Sequence, residues 1–130
     1  MNASDNSDNP TIFGRILRGE IPYKKVYEDA DVLAFHDINP VAEVHFLLIP
    51  KKFIPTLADA TMEDTALLGK MLSLVPRLAK EQGLIGGFRT IINTGKLGGQ
   101  EVYHLHVHVF GRRPGGDSAN TALAPFASSM

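Results

Sequence analysis

The run Tyr103-His104-Leu105-His106-Val107-His108-Val109-Phe110 alternates imidazole and apolar side chains. Strict alternation of this kind marks a half-buried strand. Period two sends His104, His106 and His108 to one face and turns Leu105, Val107 and Val109 toward a core on the other. Same-face neighbours then stand about 6.5–7 Å apart along the backbone. A single strand histidine is ordinarily structural, but packing does not call for three in alternation. Histidine exchanges its proton near neutral pH, so the cluster points to catalysis or to metal. His-x-His on a strand with a third histidine can hold zinc, and His45 could supply the third ligand. No nearby carboxylate completes a familiar ligand pattern in the sequence.

Composition narrows the choice. The chain of 130 residues has no cysteine, which excludes disulfides and every cysteine-containing zinc site. A formal net charge of -1 argues against a dedicated nucleic-acid binder, which needs a basic surface. No apolar run approaches the roughly 18 residues of a membrane helix, so no membrane partner is expected. Met1 to Asn9 has neither the basic nor the apolar region of a secretory leader, and a cytoplasmic protein is expected.

The remaining elements follow from local patterns. Residues 1–10 are rich in Asn, Asp and Ser and are expected to be disordered. Thr11 reads as the N-cap of a short helix with Ile12, Phe13, Ile16 and Leu17 on its apolar face, ended by Gly19. Strands are expected at Lys25–Tyr27, Val32–Phe35 and Val44–Ile49, joined by connections short enough to require antiparallel pairing. A long helix starts near Thr61, with Asp64 three residues on as an approximate capping box. Its stripe is Leu67, Leu68, Met71, Leu72, Val75, Leu78 and Ala79. Pro76 should bend it and Gly83 should close it. Two further strands, Phe88–Asn93 and Val102–Phe110, flank a glycine-rich turn. The tail, 113–130, lacks periodicity and is expected to be loosely ordered. The domain proper is 11–112, an α+β fold with an antiparallel sheet and helices to one side.

Two more segments carry chemistry. Gly98-Gly99-Gln100 precedes the histidines, and glycines let backbone N–H groups approach a phosphate. The bland alternative is a hairpin turn. Phe35-His36-Asp37-Ile38-Asn39-Pro40 offers a carboxylate that could accept both hydroxyls of a ribose. The bland alternative, which composition alone favours, is that Asp37 or Asn39 simply closes an Asx-type turn.

His104 to Phe110 matches in full the motif His-φ-His-φ-His-φ-φ, with φ apolar, of the histidine triad (HIT) family. The chain also resembles the Hint branch over about residues 11–112. The shared stretches are Thr11–Ile16, Gly19–Pro22, Ala34–Ile38, His45–Lys51, Ile91–Asn93 and Gly98–Tyr103. That resemblance implies one long and one short helix on a five-stranded antiparallel sheet, joined to a ten-stranded sheet in a homodimer. It implies a purine nucleoside phosphoramidase of the adenosine 5'-monophosphoramidase type, acting on nucleoside monophosphates linked to an amine or acyl group. His106 would be the nucleophile and carry a nucleotidyl intermediate. His108 would bind the phosphate, and the His104 carbonyl would orient His106 while its side chain meets His45. Gln100 would complete the catalytic set. Asp37 would hold the ribose, and Ile12, Phe13, Ile16, Phe35, His36 and Ile38 would form an apolar slot for the base. Asn93, Gly99, Gln100 and Glu101 would lie near the phosphate. No metal and no cofactor are implied: the cysteine pair some relatives use for zinc falls in Thr11-Ile12-Phe13-Gly14. Glu101 stands where some relatives have serine. The alternatives are a dinucleoside polyphosphate hydrolase and a nucleotide-binding module with vestigial activity.

Overall fold

A computed structural model describes residues 6–115. The segments 1–5 and 116–130 lie outside the described residues, and with them most of the tail expected to be loose. Helix α1 (Ile12–Leu17) leads into strands β1 (Lys25–Glu28), β2 (Val32–His36) and β3 (Val44–Pro50). Two short 3-10 turns, Leu57–Asp59 and Met62–Asp64, then introduce helix α2 (Thr65–Glu81), followed by β4 (Arg89–Ile91) and β5 (Val107–Gly111). The five strands form one antiparallel sheet in the order β1-β2-β3-β5-β4. This is an α+β fold. No helix among the described residues is long and apolar enough to cross a membrane.

Local chemistry explains the helix ends. Thr11 Oγ1 accepts the Gly14 N–H at 3.1 Å, satisfying one of the amides that open α1. Gly19 leaves the helix at φ 78°, a conformation that costs glycine nothing. At the second helix Thr61 and Asp64 form the expected capping box, with the Thr61 N–H on Asp64 Oδ2 at 2.9 Å. One 3-10 turn intervenes before α2 proper. Pro76 stands inside α2, and the helix runs on past it to Glu81.

The sheet is buried on both faces, and this corrects the expectation of helices to one side. Val32, Ala34, Val44, Phe46, Leu48, Val107 and Val109 pack with Met71, Leu74, Val75, Leu78 and Ala79 of α2. The alternate residues Leu33, Phe35, Leu47 and Ile49 pack instead with Phe13 and Ile16 of α1. Val32–Phe35 and Val44–Ile49 are apolar at nearly every position, so each face needs its own cover. The α2 stripe also differs by one position: Leu74 is buried, whereas Leu72 is 52% exposed.

Two boundaries moved. β4 is shorter than expected, and the β5 ladder begins at Val107 rather than Val102. Residues 102–106 run outside the ladder, where the Leu105 N–H bonds the Ile54 carbonyl at 2.7 Å. The larger correction is at the N-terminus. Asn6 and Asn9, expected in a disordered segment, are buried at 4% and 1% exposure.

Leu78 has no exposed surface at the centre of the α2–sheet contact. Leu78→Ala should cost about 2–5 kcal/mol, the lost burial plus the cavity left behind. Urea unfolding measures it; a loss well under 1 kcal/mol would show that this contact does not hold the core.

Candidate functional site

All five histidines of the chain lie in the described region, and four of them form one buried cluster. His45, His104, His106 and His108 are each at most 2% exposed. The triplet faces α1, as the alternation predicts. The Phe13 ring meets His106 edge-on at 5.0 Å and His104 at 6.2 Å. His106 and His108 lie 5.1 Å apart, and His45 and His108 5.2 Å, between ring centroids. Strand β3 supplies His45 because its side chain shares the α1 face with Leu47 and Ile49. Leu47 sits directly opposite His108 in the ladder.

Burial makes every imidazole nitrogen's partner matter, because an unsatisfied polar atom costs about 1–3 kcal/mol. The partners assign the tautomers, since amides only donate and carbonyls only accept. The Val41 N–H donates to His45 Nδ1 at 3.2 Å, so the His45 proton is on Nε2. That Nε2–H points to His108 Nδ1 at 3.0 Å, which leaves the His108 proton on Nε2. On the other side of the cluster, His104 Nε2 donates to the Pro50 carbonyl at 2.8 Å. His106 Nδ1 donates to the His104 carbonyl at 2.7 Å. His106 Nε2 therefore holds a lone pair, while His108 Nε2 presents a proton. A lone pair and a hydrogen-bond donor thus sit side by side.

Burial also lowers the proton affinity of these rings. His104 is lowered to about 4, chiefly by desolvation, with the Pro50 carbonyl opposing and His106 adding to the shift. His108 is lowered to about 3 by desolvation and then by His106 and His45. His45 is lowered by desolvation too, against the pull of Asp37.

Asp37 lies against this cluster, contrary to the expectation that no carboxylate stands near. Its Oδ1 accepts the Asn39 N–H at 2.8 Å, the Asx turn that was the bland alternative for this segment. Its buried Oδ2 makes no hydrogen bond and lies 3.4 Å from His45 Nε2. Ligand-type atoms of Asp37, His45 and His108 all fall within 4.8 Å of one another. A cation there needs the lone pair of His45 Nε2. The Val41 amide, however, holds the proton on that nitrogen, and moving it to Nδ1 would set two N–H groups against each other. Binding a cation through His45 Nε2 would therefore require the other His45 tautomer.

The other expected site residues divide. Phe13, Ile16 and Phe35 come together, with the Phe13 and Phe35 rings edge-on at 5.5 Å. Ile12 and Ile38 are exposed and His36 is half-buried. His36 is lowered by desolvation, then by Lys24 and Arg113. Asn93 is half-buried just beyond β4, and Gly99 and Glu101 are exposed. Gln100 is buried with its amide turned into its own loop. It accepts from the Gly95 N–H at 2.9 Å and donates to the Pro55 and Val102 carbonyls at 2.8 and 2.9 Å. It thus holds the glycine-rich turn in shape. Sequence reasoning missed Asn9, whose Nδ2 lies 2.8 Å from His104 Nδ1. It also missed Phe53, stacked on His104 at 5.6 Å. The His104 side chain, expected to meet His45, instead meets Asn9 and the Pro50 carbonyl, while His45 bonds His108.

Residues 18–115 match the HIT domain family model. The chain is 55% identical over 100 residues to Protein HitA of Neisseria gonorrhoeae, covering 77% of this chain and 94% of that protein. It is also 55% identical over 103 residues to an uncharacterized HIT-like protein of Synechococcus elongatus, covering 79% and 90%. Among solved structures, a HIT family hydrolase from Legionella pneumophila superposes with TM-score 0.76 at 45% identity, covering 80% of this chain and 94% of that one. The histidine triad nucleotide-binding protein of Candida albicans gives TM-score 0.73 at 29% identity, covering 92% and 85%.

The lowered histidines carry a stability prediction. Their unfolded value is about 6.5, above the folded values, so below that pH the unfolded chain binds more protons. Stability is therefore complete above about pH 6.5 and falls as the pH drops toward 4, by roughly 1.4 kcal/mol per pH unit for each fully linked ring. Urea unfolding at about pH 7 and pH 5 checks this. Equal stabilities would contradict the buried, neutral state of His104 and His108.

Proposed function

This chain belongs to the histidine triad family, and we propose that it is a nucleotide hydrolase of the Hint type, cleaving purine nucleoside phosphoramidates through a nucleotidyl intermediate on His106. The observation that carries this reading is the 2.7 Å bond from His106 Nδ1 to the His104 carbonyl. It leaves Nε2 as a lone-pair nucleophile held in one orientation. The hydrolase and nucleotide-binding descriptions of the Legionella and Candida neighbours support the same class.

In this reading His106 Nε2 attacks the α-phosphorus. A bond forms from phosphorus to Nε2, the bond to the amine nitrogen breaks, and the amine takes up a proton from solvent as it leaves. Water then attacks the same phosphorus and returns a proton to solvent, breaking the bond to Nε2, releasing the nucleoside monophosphate and restoring His106. The Nε2–H of His108 donates to a phosphate oxygen where negative charge develops. Phe13, Ile16 and Phe35 provide the apolar floor beneath the purine, with Ile12, His36 and Ile38 at its rim. Asp37 would meet the ribose by turning Oδ2 away from His45. Asn93, Gly99 and Gln100 shape the phosphate end. Exposed Glu101 would favour a cationic amine as leaving group, by no more than about 1 kcal/mol at a solvated position. The protein acts in the cytoplasm.

His106→Ala should lower turnover of an adenosine phosphoramidate by about 10³-fold or more while nucleotide still binds. Stopped-flow turnover and calorimetry read the two quantities. Near-normal turnover would remove His106 as nucleophile. Activity abolished by a chelator and restored by Zn²⁺ would instead move the chemistry to Asp37, His45 and His108.

A homodimer is part of the same proposal. β4 is an edge strand of three residues, and Leu72, Ile85 and Phe88 expose apolar surface, an uncovered combination that favours a twofold mate. Sedimentation at micromolar concentration should give twice the 14.2 kDa chain mass. A monomer at that concentration would contradict it.

A further inference from the structure

We propose that Asn9 is a positioning residue of the histidine site, holding His104 in the tautomer whose carbonyl aims the nucleophile. The proposal rests on the reading of His106 given above. Asn9 arrives from the segment ahead of α1 and is 95 residues from His104 in sequence. Its amide orientation is determined by its neighbours. Asn9 Oδ1 accepts the Thr11 backbone N–H at 3.1 Å, and an amide N–H can only donate. The Nδ2 group therefore faces His104 Nδ1 at 2.8 Å as a donor. A second Nδ2 contact, to Asn6 Oδ1 at 2.9 Å, agrees, because Asn6 Nδ2 is itself committed to the Lys51 carbonyl at 2.7 Å.

His104 is thus read from both sides. A donor stands on Nδ1 and an acceptor, the Pro50 carbonyl, on Nε2. Only the neutral ring with its proton on Nε2 satisfies both. Protonation at Nδ1 would set N–H against N–H inside a buried site, where such a clash is poorly screened. Phe53 and Phe13 confine the ring from its face and edge. With the side chain fixed, the His104 carbonyl is fixed, and that carbonyl receives His106 Nδ1–H. The fold also makes room for Asn9: a Cβ on Gly14 would lie 2.5 Å from Asn9 Cγ. The glycine in the first turn of α1 is the space the asparagine occupies.

Asn9→Asp is the informative substitution, because a carboxylate can only accept and so inverts the demand on Nδ1. Nitrogen-15 NMR of the histidine rings should show wild-type His104 with a proton on Nε2 alone. In Asn9→Asp at neutral pH it should gain a proton on Nδ1, and the His106 Nδ1–H resonance should shift. The value of kcat should fall roughly tenfold or more, as when an orienting partner is lost, with KM little changed. Gly14→Ala, which displaces Asn9 without altering it, should move the same resonances in a folded protein. If the wild-type ring already carries its proton on Nδ1, or if His106 Nδ1–H is unmoved in both variants, the proposal is wrong. A fall in kcat with unaltered His104 and His106 rings would likewise reduce Asn9 to a structural role. Should the wild type fail to cleave phosphoramidates, the functional reading falls, while the two ring resonances still decide whether Asn9 orients the pair.

Discussion

The register of β5 against β3 is the constraint on which the rest of the molecule depends. Leu47 stands opposite His108, and His45 opposite Phe110. Because strand side chains alternate, a slip of one residue would send His108 into the α2 core and Val107 and Val109 to the α1 face. Both faces are dry, so such a slip would bury imidazoles among Met71, Val75 and Leu78 without partners. The apolar pattern therefore enforces the register, and the register puts His108 and His45 on one side, where His104 and His106 join them from just outside the ladder.

Once the rings are buried, their proton positions cease to be free choices. Apart from the bond between His45 and His108, the contacts that assign the rings are to groups of settled polarity: the Val41 amide, the Pro50 and His104 carbonyls, the Asn9 amide. The polarity propagates, since assigning one nitrogen of a neutral imidazole assigns the other. Two chains result, one running from Val41 through His45 to His108, the other from Asn9 through His104 to His106. They meet where His106 and His108 lie side by side, and they deliver opposite things there, a lone pair and a proton. Hydrogen-bond polarity, supplied by backbone groups and one asparagine side chain, thus sets where the protons sit.

What was legible in the sequence was what local pattern controls. The alternation at His104–Phe110 located the histidine cluster, Thr11 and Thr61 located helix starts, and the apolar runs located β2 and β3 to within a residue or so. Contacts between distant segments were not legible. Asn6 and Asn9 read as a loose polar segment, because nothing local says that their amides meet Lys51 and His104 far along the chain. The double-sided sheet was visible in Val32-Leu33-Ala34-Phe35, which is apolar without alternation, yet the short α1 gave little sign that it covers a face of its own. Leu72 and Leu74 exchanged places because both fit a helical stripe, and only the sheet decides which turns inward. Asp37 was legible as a turn residue, while its approach to His45 depends on β2 and β3 being paired.

The glycine-rich turn illustrates how a segment with no core of its own is held next to so exact an arrangement. Gly99 adopts φ 85°, and a Cβ on Gly98 would overlap the Thr94 carbonyl oxygen. The backbone is therefore folded tightly on itself in a way that side chains would prevent. Such freedom costs conformational entropy, because glycine loses more on ordering than other residues. Gln100 offsets it: three hydrogen bonds from one buried amide tie the turn to Gly95, Val102 and Pro55. Pro55 follows Ile54, whose carbonyl holds the Leu105 amide between the first two histidines. Turn, loop and histidine segment are thereby stitched to one another outside the β5 ladder. This explains how His104 and His106 keep a strand-like alternation without strand pairing. A motif half outside its sheet needs such substitutes for ladder bonds, and here a single glutamine side chain and one loop carbonyl provide them.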